Sequence, residues 1–503
     1  MKTILDIIFD RSAKEPERVV FVAANESIQY KRFAEMIDTT AYNLQSYGIK
    51  SNEVVSVSIT EPLEYICCLF ALCRLGAIVN PVNSSLKKGD ISNILHTVKP
   101  SFVVTDQETE VFEEIYKPEN HSLPFCIRYQ LLNTHIRPLD GKGIPFPRDY
   151  ETMGCYLSSG STGAPKCIYL TNEALTTAAS LSAEQFNFTD QDLIITALPL
   201  THLYGGNTIL AAGILSGAAM MFEESFQYNK ILEKMKEYKT TVFAGVPTMF
   251  EYLNKHAKFS AESYNFPQLK MAISAGAMLS QQTSAEFNHY FGIPIINHYG
   301  LTEAAGFISA NDPLRFKEAN CIGIPSEKFH IKIVNDQNED VQDCEIGELL
   351  IKADHLQPAA KGLYSNSETP WFEDGFLRTG DIVKRGAEGE LYIVGRAKEI
   401  ILTGGYVVNP FEVEEYIKLL DYVSECVVFP AYDELMGEIP VAAVVLEANT
   451  RLGNEEITKH CIKGLISYKC PQRIIFLSEL PRTSTGKIKR QELIRQYGQF
   501  QMR

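Results

Sequence analysis

Between about residues 50 and 310 the chain alternates short β-branched runs with amphipathic stretches. The runs are VVSVSI (54–59), FVVTD (102–106), DLIITALPL (192–200), TTVFAGVP (240–247), MAISAGA (271–277) and PIINHYG (294–300). Helical patterns such as NKILEKMKEY (229–238) and QQTSAEFNHY (281–290) stand between them. Strands separated by helices pair in parallel, because the crossover returns the chain to the same edge. The expected fold class is α/β, with stacked, helix-covered sheets. Ligands in such folds sit beyond the carboxyl ends of the strands. Several of these runs end in Gly, Ser, Thr or His, so the search for chemistry begins there.

After about residue 345 the texture changes. EIGELLI, GELYIVGR, EIILTGGYVV, ECVVFPAY and PVAAVVLE are short strand patterns with charged turns. A smaller α+β unit is expected at this end. A length of 503 residues also exceeds what one core holds. The net charge of −15 opposes binding to nucleic acid or anionic membrane surfaces, and no basic run offsets it. The longest apolar run, Tyr65 to Cys73, is too short to span a bilayer. Asp6 and Asp10 interrupt the apolar part of the N-terminus, which speaks against a secretory signal and for a cytoplasmic protein. The 11 cysteines are scattered without C-x-x-C spacing, so buried thiols are expected, with neither a disulfide framework nor a zinc site.

SSGSTGAPK, from Ser158 to Lys166, has the glycines and hydroxyls of a phosphate-gripping loop. A Walker loop places Ser or Thr directly after its lysine. Here Cys167 follows Lys166, and Pro165 biases Ala164 away from helical geometry. The loop is therefore of another design. Ser159, Ser161 and Thr162 offer hydroxyls, while Gly160 and Gly163 let backbone N–H groups converge on an anion. Taken alone, the same residues describe a surface turn.

Four further segments follow in order: ALPLTHLYGG, NHYGLTEAAG, the block WFEDGFLRTGD…YIVGRAKEIILTGGYVVNPFEVE, and LPRTSTGKIKRQEL. With these, the chain from about residue 150 onward resembles the adenylate-forming superfamily of acyl-CoA synthetases, luciferases and peptide-synthetase adenylation domains. The residues before 150 agree more loosely, through YICCLFALCRLGAIVNPVN. Cys167 departs from the glycine usual after the loop lysine.

The resemblance implies ATP- and Mg²⁺-dependent conversion of a carboxylic acid to an acyl-adenylate, then transfer to the thiol of coenzyme A. A carrier-protein pantetheine is the alternative acceptor. It implies that the 158–166 loop, with Lys166, holds the β- and γ-phosphates. Glu303 would ligate Mg²⁺, an ion that prefers hard oxygen donors. Thr302 would reach the α-phosphate, and Tyr299, flanked by His298 and Gly300, would stack on adenine. Asp381 would accept the ribose hydroxyls, assisted by Arg396. Lys487 would bridge the acid and the α-phosphate as charge shifts between them. The acyl pocket would be walled by His202, Tyr204, Gly205, Val246, Ala275, Gly276 and Leu301, with His202 as its gate. Thr201-His202-Leu203 offers no acid to anchor an α-amine, which argues against an α-amino acid, since an unpaired buried ammonium is costly. The pair Gly404–Gly405, read as a bulge, would line the pantetheine path. Lys398 would be the hinge between a region 1–396 and a mobile lid 397–503. Standing alone, these are turn residues, caps and surface charges. A non-catalytic relative would be expected to lose Lys487, Glu303 or Asp381, and all three are present.

Overall fold

The computed structural model describes residues 2–23, 26–107, 125–128, 152–158, 166–260, 264, 266–356, 374–447, 450, 453–482 and 488–498. They gather into two compact units. One comprises residues 1–330 with 352–371, the other residues 331–351 with 372–503.

The first unit holds two sheets. In the larger, the strands run Ser309–Ala310, Ile295–Tyr299, Met271–Ser274, Val242–Gly245, Leu193–Thr196, Ala219–Phe222, Val19–Val22, Ser27–Gln29. The six inner strands are parallel and each edge strand is antiparallel. The inner strands are buried on both faces. Ile194, Val242 and Ile273 face one core, and their neighbours Ile195, Phe243 and Ala272 face another. The second sheet runs Phe125–Arg128, Phe102–Thr105, Val54–Ser58, Ile78–Pro81, Thr152–Ser158, Lys166–Thr171. Its Val55, Val57 and Val79 join the core that contains Ile194, so the two sheets share one apolar centre. The expected α/β architecture of stacked, helix-covered sheets is what the chain adopts.

Every residue of the YICCLFALC run lies buried in the helix Pro62–Leu75. Its start is set by Pro62 at the first position and by Glu61, whose carboxylate accepts from the Glu64 N–H at 2.7 Å. Gly76, at φ 71°, ends it. The run is a core helix, and Arg74 beside it is buried against Asp38 (3.0 Å) and the Phe9 ring. Among the described residues no helix is long and apolar enough to cross a membrane.

The second unit carries two further strand groups. Leu391–Arg396, Leu377–Arg385, Ile346–Lys352 and His330–Val334 lie side by side in that order. After a turn at 397–400 come Tyr406–Val408, Ile401–Thr403, Gly437–Leu446 and Val423–Asp433, with Arg473–Phe476 parallel to Gly437–Leu446. Among the described residues, an apolar cluster of the first group (Val334, Leu350, Phe376) shares no residue with those of the second.

Two sequence expectations change. Gly404 and Gly405 are not a bulge. They are the two-residue turn of a hairpin in which Thr403 pairs with Tyr406, at φ 55° and 85°. A two-residue turn that follows the twist of its strands needs positive φ at both positions, which glycine supplies. Cys155 and Cys167 are not thiols but a disulfide across the hairpin Thr152–Ser158 and Lys166–Thr171. They sit diagonally on one face of it, with Cα atoms 6.2 Å apart. Most of the other cysteines are buried thiols, with Cys344 exposed and Cys126 and Cys470 half-buried.

Candidate active site

Four neighbouring parallel strands end side by side: Leu193–Thr196, Val242–Gly245, Met271–Ser274 and Ile295–Tyr299. The residues that follow them are those singled out from sequence. Val246, Ala275–Gly276 and Gly300–Leu301–Thr302–Glu303 come directly after their strands, and His202 and Tyr204 come six and eight residues after Thr196. A Cβ built on Gly276, which sits at φ 85°, would lie 3.7 Å from Val246 Cγ1, so these two are immediate neighbours.

Tyr204 opens a π-helix, Tyr204–Ala211, and is buried. Its hydroxyl donates to Ile273 O (2.9 Å) and lies 3.3 Å from Gly245 O. It therefore ties the ends of two adjacent strands together, and burial pushes its pKa well above the ordinary value. Gly205 packs on backbone, since a Cβ there would meet Pro199 O at 2.6 Å. These two expected wall residues frame the strand ends. His202 is exposed. The backbone N–H of Tyr204 donates to its Nδ1 at 3.2 Å, which leaves the proton of the neutral ring on Nε2.

The segment after Tyr299 turns sharply. Leu301 O accepts from the N–H of Gly306 at 2.9 Å, and Thr302–Ala304 forms a single 3₁₀ turn. A Cβ at Gly300 would lie 1.9 Å from Gly306 O, so the glycine before Leu301 is what lets the two backbones cross. Leu301 is the N-cap, without a side-chain cap bond, so Thr302 is not a capping residue. Thr302 and Glu303 are half-buried, and Tyr299 is buried.

His298 lies behind this turn. Its Nδ1 is 3.1 Å from Ser309 O, and its ring stacks on Phe307 with centroids 5.1 Å apart. It is 4 % exposed, and desolvation lowers its pKa from 6.5 to about 4. The ring is thus neutral in the fold, whereas the unfolded chain takes up a proton below pH 6.5. His298 therefore withdraws stability as pH falls from about 6.5 to about 4, and nothing further below that, by about 3 kcal/mol in full. His355 is lowered in the same direction. Urea midpoints measured from pH 7 to pH 4 are expected to fall less steeply for His298→Phe than for the wild type. Equal slopes would show that His298 takes up its proton without unfolding.

Buried amides brace this turn and the strand that leads into it, and the sequence reading did not single them out. Asn207 Nδ2 donates to Leu175 O (3.0 Å) and Ala305 O (2.8 Å). Asn297 Nδ2 donates to Ala319 O (2.7 Å), and Asn311 Oδ1 accepts from the Asn297 N–H (2.7 Å). A buried carbonyl left without its donor costs about 1–3 kcal/mol. The available signal was an asparagine standing among apolar neighbours.

In the second unit, Asp381 and Arg396 are direct cross-strand partners. Arg396 Nε lies 3.0 Å from Asp381 Oδ1; the carboxylate is buried and the guanidinium exposed. Glu348 accepts from the Gly380 N–H at 3.1 Å, and burial raises its pKa despite the nearby Arg378. Lys398 is exposed in the turn between Leu391–Arg396 and Ile401–Thr403, and the N–H groups of Glu399 and Ile400 both point to Arg396 O.

Ser159, Gly160, Ser161, Thr162, Gly163 and Lys487 lie outside the described residues. For Ser158 and Lys166 the backbone is described, and they face each other as the last pair of their hairpin.

Known proteins share the family and the fold of this chain. A family model described as AMP-binding enzyme matches residues 8–360, and one described as AMP-binding enzyme C-terminal domain matches residues 412–487. An indoleacetate–CoA ligase of Aromatoleum aromaticum is 26% identical over 502 residues, covering 95% of this chain and 95% of that protein. An oxalate–CoA ligase of Arabidopsis thaliana is 27% identical over 510 residues, 97% of each. The fold matches ATP-bound MatB from Rhodopseudomonas palustris with a TM-score of 0.87, over 99% of both chains at 21% identity. The first family model alone spans well over half of the sequence, and the protein belongs to the AMP-binding enzyme family.

Proposed function

We propose that the protein is an acid–CoA ligase working in two half-reactions. A carboxylate oxygen attacks the α-phosphorus of ATP, and the bond to the β-phosphate oxygen breaks, giving acyl-AMP and pyrophosphate. The thiol of coenzyme A then attacks the acyl carbon, losing its proton, and AMP leaves. The observation that carries this reading is the set of four adjacent strand ends that brings His202, Val246, Gly276 and Leu301–Glu303 to one edge of a parallel sheet.

The protein's work in such a reaction is alignment and charge neutralisation. Thr302 would bind the α-phosphate, Asp381 and Arg396 the ribose, and Lys487 the charge that moves between acid and phosphate. Among the described residues no three His, Cys, Asp or Glu side chains cluster as a metal cage. A single carboxylate such as Glu303 suits Mg²⁺, which takes one or two protein oxygens and fills its shell with phosphates and water. When bound, the ion neutralises triphosphate charge. His202, with its proton on Nε2, would present a donor at the acyl site. Thr201-His202-Leu203 supplies no anchor for an α-amine, so the favoured substrates are acids without one.

The relatives act on acids as different as indoleacetate and oxalate by their names. A screen of pyrophosphate release with ATP and Mg²⁺ across short, long-chain, dicarboxylic and aromatic acids tests the reading. One class of acid is expected to stimulate release, and thioester is expected to form with coenzyme A. Release without any acid dependence would contradict it, and thioester formed only on a pantetheine-loaded carrier protein would overturn the coenzyme A assignment.

The hairpin turn provides a sharper test of the thiol path. Gly405 has open space around its Cβ position and φ 85°. Asparagine tolerates that backbone better than other side chains. Gly405→Asn is expected to leave pyrophosphate release unchanged and to slow thioester formation by at least about tenfold. Unchanged thioester formation would place the pantetheine elsewhere.

A further inference from the structure

The strand that carries Asp381 is not regular. Ile346–Lys352 and Leu377–Arg385 are antiparallel, with Glu348 opposite Ile382 and Leu350 opposite Arg378. Two steps along the first strand thus span four along the second, and Thr379, Gly380 and Asp381 together face Leu349. Such a bulge re-aims side chains and takes backbone groups out of the ladder. Gly380 sits at its centre with φ 73°, a conformation that glycine adopts without strain.

Two side chains satisfy what the ladder no longer does. Glu348 Oε1 accepts from the Gly380 N–H at 3.1 Å. Thr379 Oγ1 donates to Leu349 O (2.7 Å) and accepts from the Asp381 N–H (3.1 Å). Gly380 O in turn accepts from the Ala397 N–H at 2.9 Å, just after Arg396. The second oxygen of Glu348 lies 3.2 Å from Arg378 Nε, and the residue is half-buried. Burial, with Asp381 nearby, opposes a charge on Glu348, and the donors from Gly380 and Arg378 offset that cost. Asp381 therefore takes its place from a turn whose N–H groups end on Glu348 and Thr379.

We propose that Glu348 and Thr379 are positioning residues for nucleotide recognition: they fix the bulge that aims Asp381 at the ribose hydroxyls of ATP. This rests on Asp381 accepting those hydroxyls. The geometry gives each substitution its own weight. Glu348→Ala removes the acceptor of the Gly380 N–H, whereas Glu348→Gln keeps an acceptor oxygen and gives up the ion pair with Arg378. Thr379→Val keeps the branched shape and loses the hydroxyl between Leu349 O and the Asp381 N–H, whereas Thr379→Ser keeps that hydroxyl.

The test measures kcat/KM for ATP and for 2′,3′-dideoxy-ATP in acid-dependent pyrophosphate release, on the whole chain and with the acid that the screen identifies. The wild type is expected to favour ATP by about 100-fold, since two hydroxyls bound to a carboxylate are lost in the analogue. Asp381→Asn is expected to lose most of that preference. Glu348→Ala and Thr379→Val are expected to lower kcat/KM for ATP by roughly 10-fold, through KM, and that for the dideoxy form by less than about threefold. Glu348→Gln is expected to lie between Glu348→Ala and the wild type, and Thr379→Ser within about threefold of the wild type. In the Asp381→Asn background, Glu348→Ala is expected to add less than about threefold, because there is no carboxylate left to place. Equal losses on both nucleotides would make the two residues merely structural. An undiminished preference for ATP in Glu348→Ala and Thr379→Val would overturn their role and leave that of Asp381 standing. A wild type that does not favour ATP over its dideoxy form would overturn the ribose assignment and, with it, this inference.

Discussion

Lys487→Ala is expected to lower acyl-adenylate formation by about 10²- to 10³-fold, the cost of removing one charge-stabilising donor from a transition state. The same variant is expected to convert supplied acyl-AMP and coenzyme A to thioester at close to the wild-type rate. The asymmetry follows from the chemistry. Charge moves from carboxylate to phosphate only in the first half-reaction, and a lysine placed between them stabilises that movement. In the second, the acyl-phosphate bond already exists and the nucleophile is a thiol. Measuring the two half-reactions on one preparation checks this. Equal loss in both would mean that the lysine serves a single arrangement used throughout.

Lys398→Pro is expected to act the other way. Lys398 sits in the turn after Arg396, and among the described residues the apolar clusters Val334–Leu350–Phe376 before it and those after it share no residue. A rotation at this turn would leave each of these clusters intact, which is what a hinge requires. Proline fixes φ at position 398 and restricts Ala397. The turn bonds from Glu399 and Ile400 to Arg396 O do not involve the N–H that proline removes. Adenylation is expected to stay within a few-fold of wild type while thioester formation falls about 100-fold, because the thiol face could not be brought to the acyl-AMP. Full retention of thioester formation would place the hinge elsewhere or remove the need for one.

Much of the fold was legible because parallel strands buried on both faces leave short, mostly apolar β-branched runs between helical stretches. Ile194 and Ile195 face opposite cores, so neither position tolerates a charge, and the run reads plainly. The strand ends were legible for the same reason. What followed them was less so. Tyr204 reads as a pocket wall, yet its hydroxyl is engaged with carbonyls 41 and 69 residues away, a contact that no local pattern announces. Gly404–Gly405 fits a bulge or a turn equally well until the pairing of Thr403 with Tyr406 is known. Cys155 and Cys167 are 12 residues apart, and only the hairpin between them brings them together. Glu348 and Gly380 are separated by 32 residues, and the glutamate by itself reads as a surface charge. Side chains that act locally, such as the Glu61 cap, were within reach of sequence; those that join remote elements were not.

In the ligase reaction the acid attacks the α-phosphorus of ATP. An acid labelled with ¹⁸O in its carboxylate, with the phosphorus products analysed by mass spectrometry, follows that attack atom by atom. Attack at the α-phosphorus predicts one ¹⁸O in AMP and none in pyrophosphate, because the bridging oxygen stays with AMP when the thioester forms. ¹⁸O recovered in inorganic phosphate, with ADP as the nucleotide product, would show attack at the γ-phosphorus and overturn the adenylate mechanism.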